Sequence, residues 1–577
     1  MSDNASDDGA VYNSVPPDIV QAALPFLSPQ DIRNLSHTNR YFYKLLNYKS
    51  SETLWHDLFS KVYGTCYSDD EPFGEEIMLQ NFSSLSWHER FKLRSEEAKL
   101  YTWGCLKHAR LGFTAISNSH IAEADLNGMG RRLRYGVNTP ELVPWFSSDE
   151  SKLNGDSSIV QLSGGGFSFQ ILTRSGKLYT TGSTFSGGHI GPGPAEGQHD
   201  FNPFREAVHN IEASFPRTRD IVLSPIGVPG SFPGRSTQYH GPTPTIGPHS
   251  NIYEELEEMD RNSSQTVPNN EHIKKVFPRN AFEIFTSDSN SFNVDVKKLD
   301  SIKFVAVSSG RSHFIAMDTK HDLYSWDSPD SDYGVKLAFD GLPPRETNPI
   351  WKIASGWDLN CIHVHQVGLV VWNKREALKK GELCSKVHYS IIPHTGEITG
   401  PGKVIDFACF QGDCVFYITN DGDNLWKYSH GLVQQVQLPI AGRFVRITVC
   451  YSLLVLFTDN ECYTVKIENG HVDNETLTEL KLEDPDDRVI SLATGDYHNI
   501  ALTRKGQIYA WGLESQLCGC LGLGSPEHVV EHEHIGRWDS IRNMRVAKPT
   551  KICLDREYVC VAVCAGGWQS GALIIKR

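Results

Sequence analysis

Apolar residues alternate with small or polar ones along most of the chain beyond residue 98, which is the two-residue period of β-strands. The alternation recurs as a unit with two halves. The first half is an apolar strand that enters a small-residue turn, and it occurs at 159–173, 304–318, 351–365, 404–419, 444–458, 489–503 and 559–575. The second half is a short strand, often ending in Trp-Gly, and it occurs at 100–104, 178–182, 323–327, 369–373, 425–429, 462–466 and 508–512.

One unit is divided between the two ends of this region. The strand at 99–104 has no first half before it, and the segment 559–577 has no second half after it. Joined, they parallel the intact unit at 498–512. A repeat divided in this way closes a circular array, because the last half pairs with the first. The sequence therefore predicts a mainly β fold, a seven-bladed β-propeller over 99–577 closed by pairing of 559–577 with 99–104.

The unit resembles the regulator-of-chromosome-condensation repeat, and this resemblance implies a seven-bladed propeller. It rests on the Trp-Gly pairs and on the Leu-Gly tails at 111–112 and 521–524, whereas the fourth to sixth blades lack most of the Gly and His positions. Residues 192–299 contain no repeat half and are rich in Pro and Gly. Such a composition defeats regular structure, so we expect a largely disordered insertion there.

A helical pattern precedes the repeats at 15–60. Apolar residues recur there at helical spacing after an initial proline and acid, an Asp-Ile pair begins a second helix, and Leu54-Trp55 follow. In that order they resemble an F-box, the module that binds the Skp-type adaptor of cullin–RING ubiquitin ligases. The adaptor-binding candidates are Pro16, Ile19, Leu24, Leu27, Ile32 and Leu35. The alternative is a helical cap that only packs on the propeller.

Two further segments complete the N-terminal part. Residues 61–98 form a predicted helical linker, since 86–99 is made of good helix formers. Residues 1–14 are acidic and polar, so we expect a disordered tail rather than a secretory signal.

Composition narrows the functional class. The net charge of −14 argues against a general nucleic-acid binder. No apolar run approaches the length that spans a membrane. The 13 cysteines stand in apolar contexts and are expected to be reduced thiols. We therefore expect a cytoplasmic or nuclear protein that binds neither nucleic acid nor membrane.

No spacing along the chain predicts catalysis, a metal or a cofactor. The His and Glu cluster at 527–534 lacks a distant ligand of known geometry, and Cys518 and Cys520 miss the spacing of structural zinc. The glycines at 164–166 do not precede a helix, so they form no phosphate loop. The chain is thus expected to be non-catalytic, with no cofactor.

The two resemblances together imply a substrate receptor of an SCF-type ubiquitin ligase. The F-box would bind the adaptor and, through it, the cullin and RING subunits, while the propeller would bind a target protein for degradation. Loops from several blades converge at one rim of a propeller, and four loop or turn aromatics are the candidate substrate-binding residues: Trp357, Tyr497, Trp538 and Trp568. Packing between blades is the other interpretation of each. The alternative functions are a guanine nucleotide exchange factor of the same propeller family and a scaffold outside any ligase.

Overall fold

The structure, a computed structural model, describes only part of the chain. The described residues are 16, 19–20, 23–24, 27, 29–46, 50–64, 74–106, 110–113, 136–153, 155–182, 273–278, 302–327, 333–376, 384–450, 452–468, 470–540 and 543–577. The predicted tail at 1–14 lies outside them, as does the predicted insertion apart from 273–278.

Helices dominate the described N-terminal part. They are α1 (Pro29–Thr38), α2 (Arg40–Leu46), α3 (Glu52–Phe59) with a π turn at Ser60–Gly64, α4 (Gly74–Asn81) and α5 (Trp87–Glu97). We call residues 16–97 the helical unit. Side chains fix the helix starts: Asn39 Oδ1 accepts the Phe42 amide at 2.9 Å, and Ser86 and Glu89 form a capping box at α5. Short helical segments elsewhere are α6 (Asp149–Leu153), Pro144–Ser147, Ser515–Leu517 and His528–His532.

The two ends of the β region share one sheet. Its strands, in the order β2–β1–β29–β28, are β2 (Gly136–Leu142), β1 (Ala98–Cys105), β29 (Gln569–Lys576) and β28 (Tyr558–Gly566). β1 and β29 are antiparallel, with Ala98 opposite Ile575 and Gly104 opposite Gln569. The half-units from both ends of the domain therefore lie side by side, as joining the divided repeat requires.

Three antiparallel runs form a continuous twelve-stranded sheet. The runs are joined by parallel contacts of β10 with β6 and with β14. β6 falls inside the predicted insertion, yet it pairs with β5. The strands are β3 (Ile159–Gly164), β4 (Phe169–Thr173), β5 (Leu178–Thr181), β6 (Ile273–Pro278), β7 (Phe304–Ser309), β8 (Phe314–Asp318), β9 (Leu323–Trp326), β10 (Tyr333–Ala338), β11 (Ile350–Ser355), β12 (Asn360–Val364), β13 (Gly368–Arg375) and β14 (Ser385–Ile391).

Three separate sheets follow. Two have four antiparallel strands and the third has five, in the order β23–β24–β25–β27–β26. Their strands are β15 (Val404–Cys409), β16 (Val415–Thr419), β17 (Leu425–Ser429), β18 (Leu432–Val436), β19 (Phe444–Cys450), β20 (Leu453–Thr458), β21 (Cys462–Glu468), β22 (His471–Glu479), β23 (Val489–Thr494), β24 (His498–Thr503), β25 (Ile508–Glu514), β26 (Gly536–Ser540) and β27 (Asn543–Lys551). The fold is mainly β with a propeller-like arrangement of sheets and N-terminal helices. The count of seven blades stays a prediction.

Inner strands of neighbouring runs are linked by side chains at one recurring position. Gln161 of β3 donates to the Val307 carbonyl at 2.9 Å and accepts the Val307 amide at 3.1 Å. Asp406 of β15 accepts the Ile447 amide of β19 at 2.8 Å, and Arg446 of β19 donates to the Ile490 carbonyl of β23 at 2.6 Å. These links satisfy backbone groups where twisted sheets meet, so they stabilise the packing of one run on the next.

Steric crowding explains why glycine follows tryptophan in the Trp-Gly pairs. Gly104 and Gly512 both have a positive φ, 112° and 120°. A Cβ on Gly104 would lie 2.5 Å from the Trp568 carbonyl oxygen, and one on Gly512 the same distance from that of Tyr497. The strand thus passes so close to the preceding turn that only glycine fits.

The helical unit packs on the rim where inner strands begin. The Arg94 guanidinium is fully buried, stacks 4.5 Å from the Tyr63 ring and donates to the Ile159 carbonyl at 2.9 Å. The Tyr63 hydroxyl lies 3.2 Å from Ser158 Oγ. Arg488, just before β23, forms a 2.6 Å ion pair with Glu76 of α4. Helices and sheets therefore share one continuous core.

Candidate functional site

The six predicted adaptor-binding residues do not share one exposure. Leu24 and Ile32 are 5% and 0% exposed, because they pack into the core. Leu27 and Leu35 are half-buried against the same core. Pro16 is exposed, and Ile19 is 59% exposed. Their adaptor-binding role stays a prediction. In the described conformation, Pro16 and Ile19 are the members of this set that are exposed to a partner.

A second exposed apolar residue of the helical unit was missed by the sequence reasoning. Tyr43 of α2 is 65% exposed, whereas Phe42 and Leu46 on the same helix are buried. Helical spacing gave no clear signal, since Phe42 and Leu46 are four residues apart and Tyr43 is only three residues before Leu46. Among the described residues of the helical unit, Tyr43 and Ile19 are therefore the large apolar side chains most open to a partner.

The opposite rim surrounds the end of a central channel. We call it the mouth, formed by the turns that follow the inner strands. A cavity of about 140 Å³ lies there, and inner strands from every run contribute to its lining, including Gly165, Ser309, Gly356, Cys409, Cys450, Thr494 and Gly566. Because inner strands end at the mouth and begin where the helical unit packs, the two surfaces lie at opposite rims.

Backbone hydrogen bonds join successive turns around the mouth. The Gly166 amide donates to the Arg311 carbonyl at 2.8 Å, and the Arg311 amide donates to the Trp357 carbonyl at 3.3 Å. In the neighbouring turns, the Asp496 amide donates to the Gly567 carbonyl at 2.8 Å. The turns therefore hold one another, which gives the mouth a fixed geometry.

Arg311 organises the polar side chains of the mouth. Its Nη1 lies 2.8 Å from Asp496 Oδ1, and its guanidinium carbon lies 3.8 Å from the centroid of the Trp357 ring and 5.2 Å from that of Phe167. Both charged side chains are largely buried. The pair joins two turns far apart in sequence and holds the Arg311 guanidinium over the Trp357 ring.

The structure brings three of the four candidate aromatics to the mouth. Trp357 stands in the turn after β11, Tyr497 in the turn after β23, where it is exposed, and Trp568 in the turn after β28. Trp568 is half-buried and packs against the thiols of Cys105, Cys518 and Cys520. Trp538 lies elsewhere, on β26 opposite Met544, where it is half-buried against the core. Their substrate-binding role stays a prediction.

Several titratable groups are buried between blades. Burial lowers the pKa of His498 to about 4, and its Nε2 lies 2.8 Å from Ser570 Oγ. Burial also raises the pKa of Glu514 to about 7 and that of the Cys560 thiol to about 12. A thiol with a raised pKa is a poor nucleophile. In the part of the chain that the structure describes, no group of three His, Cys, Asp or Glu side chains has the arrangement to hold a metal ion.

Comparisons with known proteins place the chain in a family. A family model for the regulator of chromosome condensation (RCC1) repeat matches residues 489–520. SCF-associated factor 1 of Saccharomyces cerevisiae is 48% identical over 97% of this chain and 97% of its own length. The chain belongs to the SCF-associated factor 1 family. F-box protein pof9 of Schizosaccharomyces pombe is 41% identical over 40% of this chain and 49% of its own length.

The RCC1-type repeat that the sequence predicts is thus detected in this chain, and one relative that the chain matches is named an F-box protein. A solved structure, that of Prp20p from Saccharomyces cerevisiae, covers 85% of this chain and 94% of its own, at 14% identity and a TM-score of 0.46. No helix within the described ranges combines the length and the apolar character needed to cross a membrane.

Proposed function

We propose that this protein is the substrate-recognition subunit of an SCF-type cullin–RING ubiquitin ligase. The helical unit binds a Skp-type adaptor, through which the cullin and RING subunits are recruited, and the propeller binds a target protein. The single observation that carries the proposal is the family membership, at 48% identity along 97% of the chain. The protein itself then performs no bond chemistry and acts by raising the effective concentration of target lysines near the ubiquitin-conjugating enzyme.

The arrangement of surfaces supports this division of roles. The exposed apolar residues Ile19 and Tyr43 belong to the helical unit, while the mouth lies at the opposite rim of the inner strands. An adaptor on one surface leaves the other free for a target. The buried contacts of Arg94 and Tyr63 keep the two surfaces in a fixed relative orientation.

We also propose seven blades for the propeller. Inner strands β28, β3, β7, β11, β15, β19 and β23 each neighbour the next, and β23 neighbours β28. Three of them share the twelve-stranded sheet because edge strands β6, β10 and β14 touch. A cytoplasmic or nuclear location is likewise a proposal.

The test is co-purification of the tagged full-length protein with the adaptor and the cullin. Leu24 and Ile32 are unsuitable for it, because a charge at a buried site would unfold the helical unit. The test variant is Ile19→Asp, Tyr43→Asp, and its matched control is Leu153→Asp, an exposed leucine of α6 at 87% exposure. We expect the double variant to lose the adaptor and the control to retain it. Equal adaptor recovery with the double variant, or no adaptor with the unaltered protein, would refute the proposal.

A further inference from the structure

A groove of about 600 Å³ continues outward from the mouth. Its inner end shares Trp357, Phe410 and Gln411 with the channel cavity, so the two form one continuous surface. Its outer end reaches Gly470, which precedes β22, and His471, the first residue of β22. We call this surface the mouth groove.

Two carboxylates of the mouth groove, those of Asp358 and Asp413, have no lysine or arginine partner among the described residues. Asp358 Oδ1 accepts the Gly412 amide at 2.9 Å, and Asp413 lies 3.4 Å from the Asn373 side-chain nitrogen and 3.8 Å from the exposed His430 ring. Within the described residues, neither carboxylate has a lysine or arginine at ion-pair distance. The two are close enough to repel each other.

This absence is costly at Asp358. Burial raises the pKa of the Asp358 carboxyl above the ordinary value, the backbone amides of Gly412 and of Asp358 itself oppose this rise, and the charge of Asp413 adds to it. A partly buried carboxylate is ordinarily compensated by a cation or by several hydrogen bonds. A ligand ammonium or guanidinium placed between Asp358 and Asp413 would supply that compensation.

The other charges of the surface do not fill this role. Arg311 is neutralised by Asp496 at 2.8 Å. Lys427 lies at the outer end of the groove, near the Cys414 thiol and close to Gly470. If Gly470 carried a Cβ, that atom would lie 3.8 Å from Lys427 Nζ. The end nearest the mouth is therefore negative, and the half-buried Trp357 side chain beside it suits the methylene stem of a long cationic side chain.

We propose that the mouth groove binds an extended segment of the target protein, with a lysine or arginine side chain held between Asp358 and Asp413. This inference rests on the proposed function, since it names the chemistry of the target that the propeller recognises. The charge of the groove favours a basic segment over an acidic one, and acidic binding is an outcome of the test.

The test uses the full-length protein and two fluorescein-labelled nonapeptides, Gly-Lys-Leu repeated three times and its twin with glutamate in place of lysine. Binding is followed by fluorescence anisotropy at low salt. The groove variant is Asp358→Asn, Asp413→Asn, which keeps the acceptor for Gly412. Its matched control is Asp423→Asn, Asp555→Asn, which makes the same charge change at exposed sites distant from the mouth. Thermal unfolding of both variants confirms that they fold.

We expect the lysine peptide to bind and the glutamate peptide not to, and the groove variant to bind the lysine peptide about tenfold more weakly while the control binds as before. Four results would each overturn the proposal: no binding of the lysine peptide, equal binding of both peptides, binding unaffected in the groove variant, or equal weakening in both variants. The last would show attraction to the net charge alone. Adaptor co-purification with the unaltered protein is measured in parallel. If no adaptor is recovered, the proposed function is refuted, while the peptide measurements still test the groove independently.

Discussion

Leu100 and Leu573 lie directly opposite each other in the antiparallel pair of β1 and β29, and both side chains are buried. This contact joins the first strand of the β region to the last one. Leu573→Ala and Leu100→Ala are each expected to destabilise the protein by about 2–5 kcal/mol, because each removes core volume that cannot collapse. Urea unfolding of the full-length protein measures the loss.

The double variant tests the pairing itself. Residues in direct contact are energetically coupled, so the cost of the double change should depart from the sum of the single costs by about 0.5 kcal/mol or more. Leu432→Ala is the control, since that leucine is exposed on β18. Strict additivity of the two changes would count against the contact.

The Tyr63 hydroxyl gives a second prediction, on the attachment of the helical unit. It lies 2.6 Å from Ser95 Oγ on α5 and 3.2 Å from Ser158 Oγ before β3. Tyr63→Phe keeps the ring under Arg94 but leaves buried hydroxyls without this partner, at a cost of about 1 kcal/mol. We expect faster proteolysis at the junction between α5 and β1, and Tyr43→Phe as an exposed control should leave it unchanged. An unaltered rate for Tyr63→Phe would mean that the hydroxyl does not hold the junction.

Much of the β region could be predicted from the sequence, because its strands share one recurring pattern. Each strand shows a two-residue alternation of apolar and polar positions and leads into a turn of small residues. The helix predicted at 86–99 rested on its helix formers alone, and the structure adds the capping box of Ser86 and Glu89 at the start of α5. β6 was not, because its strand character depends on pairing with β5 across a long separation. Trp538 was assigned to a loop, but it lies on the added edge strand β26.

The sites were harder to predict than the strands. An apolar stripe along a helix shows which side chains are expected to be buried, but not whether the same chain or a partner protein buries them. The sequence therefore could not show that Ile32 is buried in the core whereas Ile19 is exposed. The Arg311–Asp496 ion pair could not be predicted from the sequence either. Its two residues belong to different repeats, and only the arrangement of the sheets brings their side chains to 2.8 Å.

His498 predicts a loss of stability in acid. Burial lowers its pKa to about 4, below the ordinary 6.5, so the unfolded chain takes up a proton that the folded state refuses. The contribution of the neutral ring is complete above pH 6.5 and is lost as pH falls towards 4, by on the order of 3 kcal/mol. His498→Asn removes this titration, so the stability gap between variant and unaltered protein should narrow from pH 7.5 to pH 5.0 in urea unfolding. A gap that stays constant would contradict the burial of a neutral ring.

The raised pKa of Glu514 predicts the opposite pH dependence, a loss of folding stability as pH rises. Burial raises its pKa from 4.5 to about 7, the backbone amides of Leu521 and Gly519 oppose this rise, and the charge of Glu527 adds to it. The folded state therefore keeps a proton that the unfolded chain releases, and this contribution is complete below pH 4.5 and is lost as pH rises through 7. Glu514→Gln cannot ionise, so the variant should gain stability relative to the unaltered protein between pH 5.0 and pH 8.5, by on the order of 3 kcal/mol. Glu557→Gln, at an exposed carboxylate, is the control and should differ little at either pH. If Glu514→Gln shows no such gain, the carboxyl is ionised in the folded protein and the assignment fails.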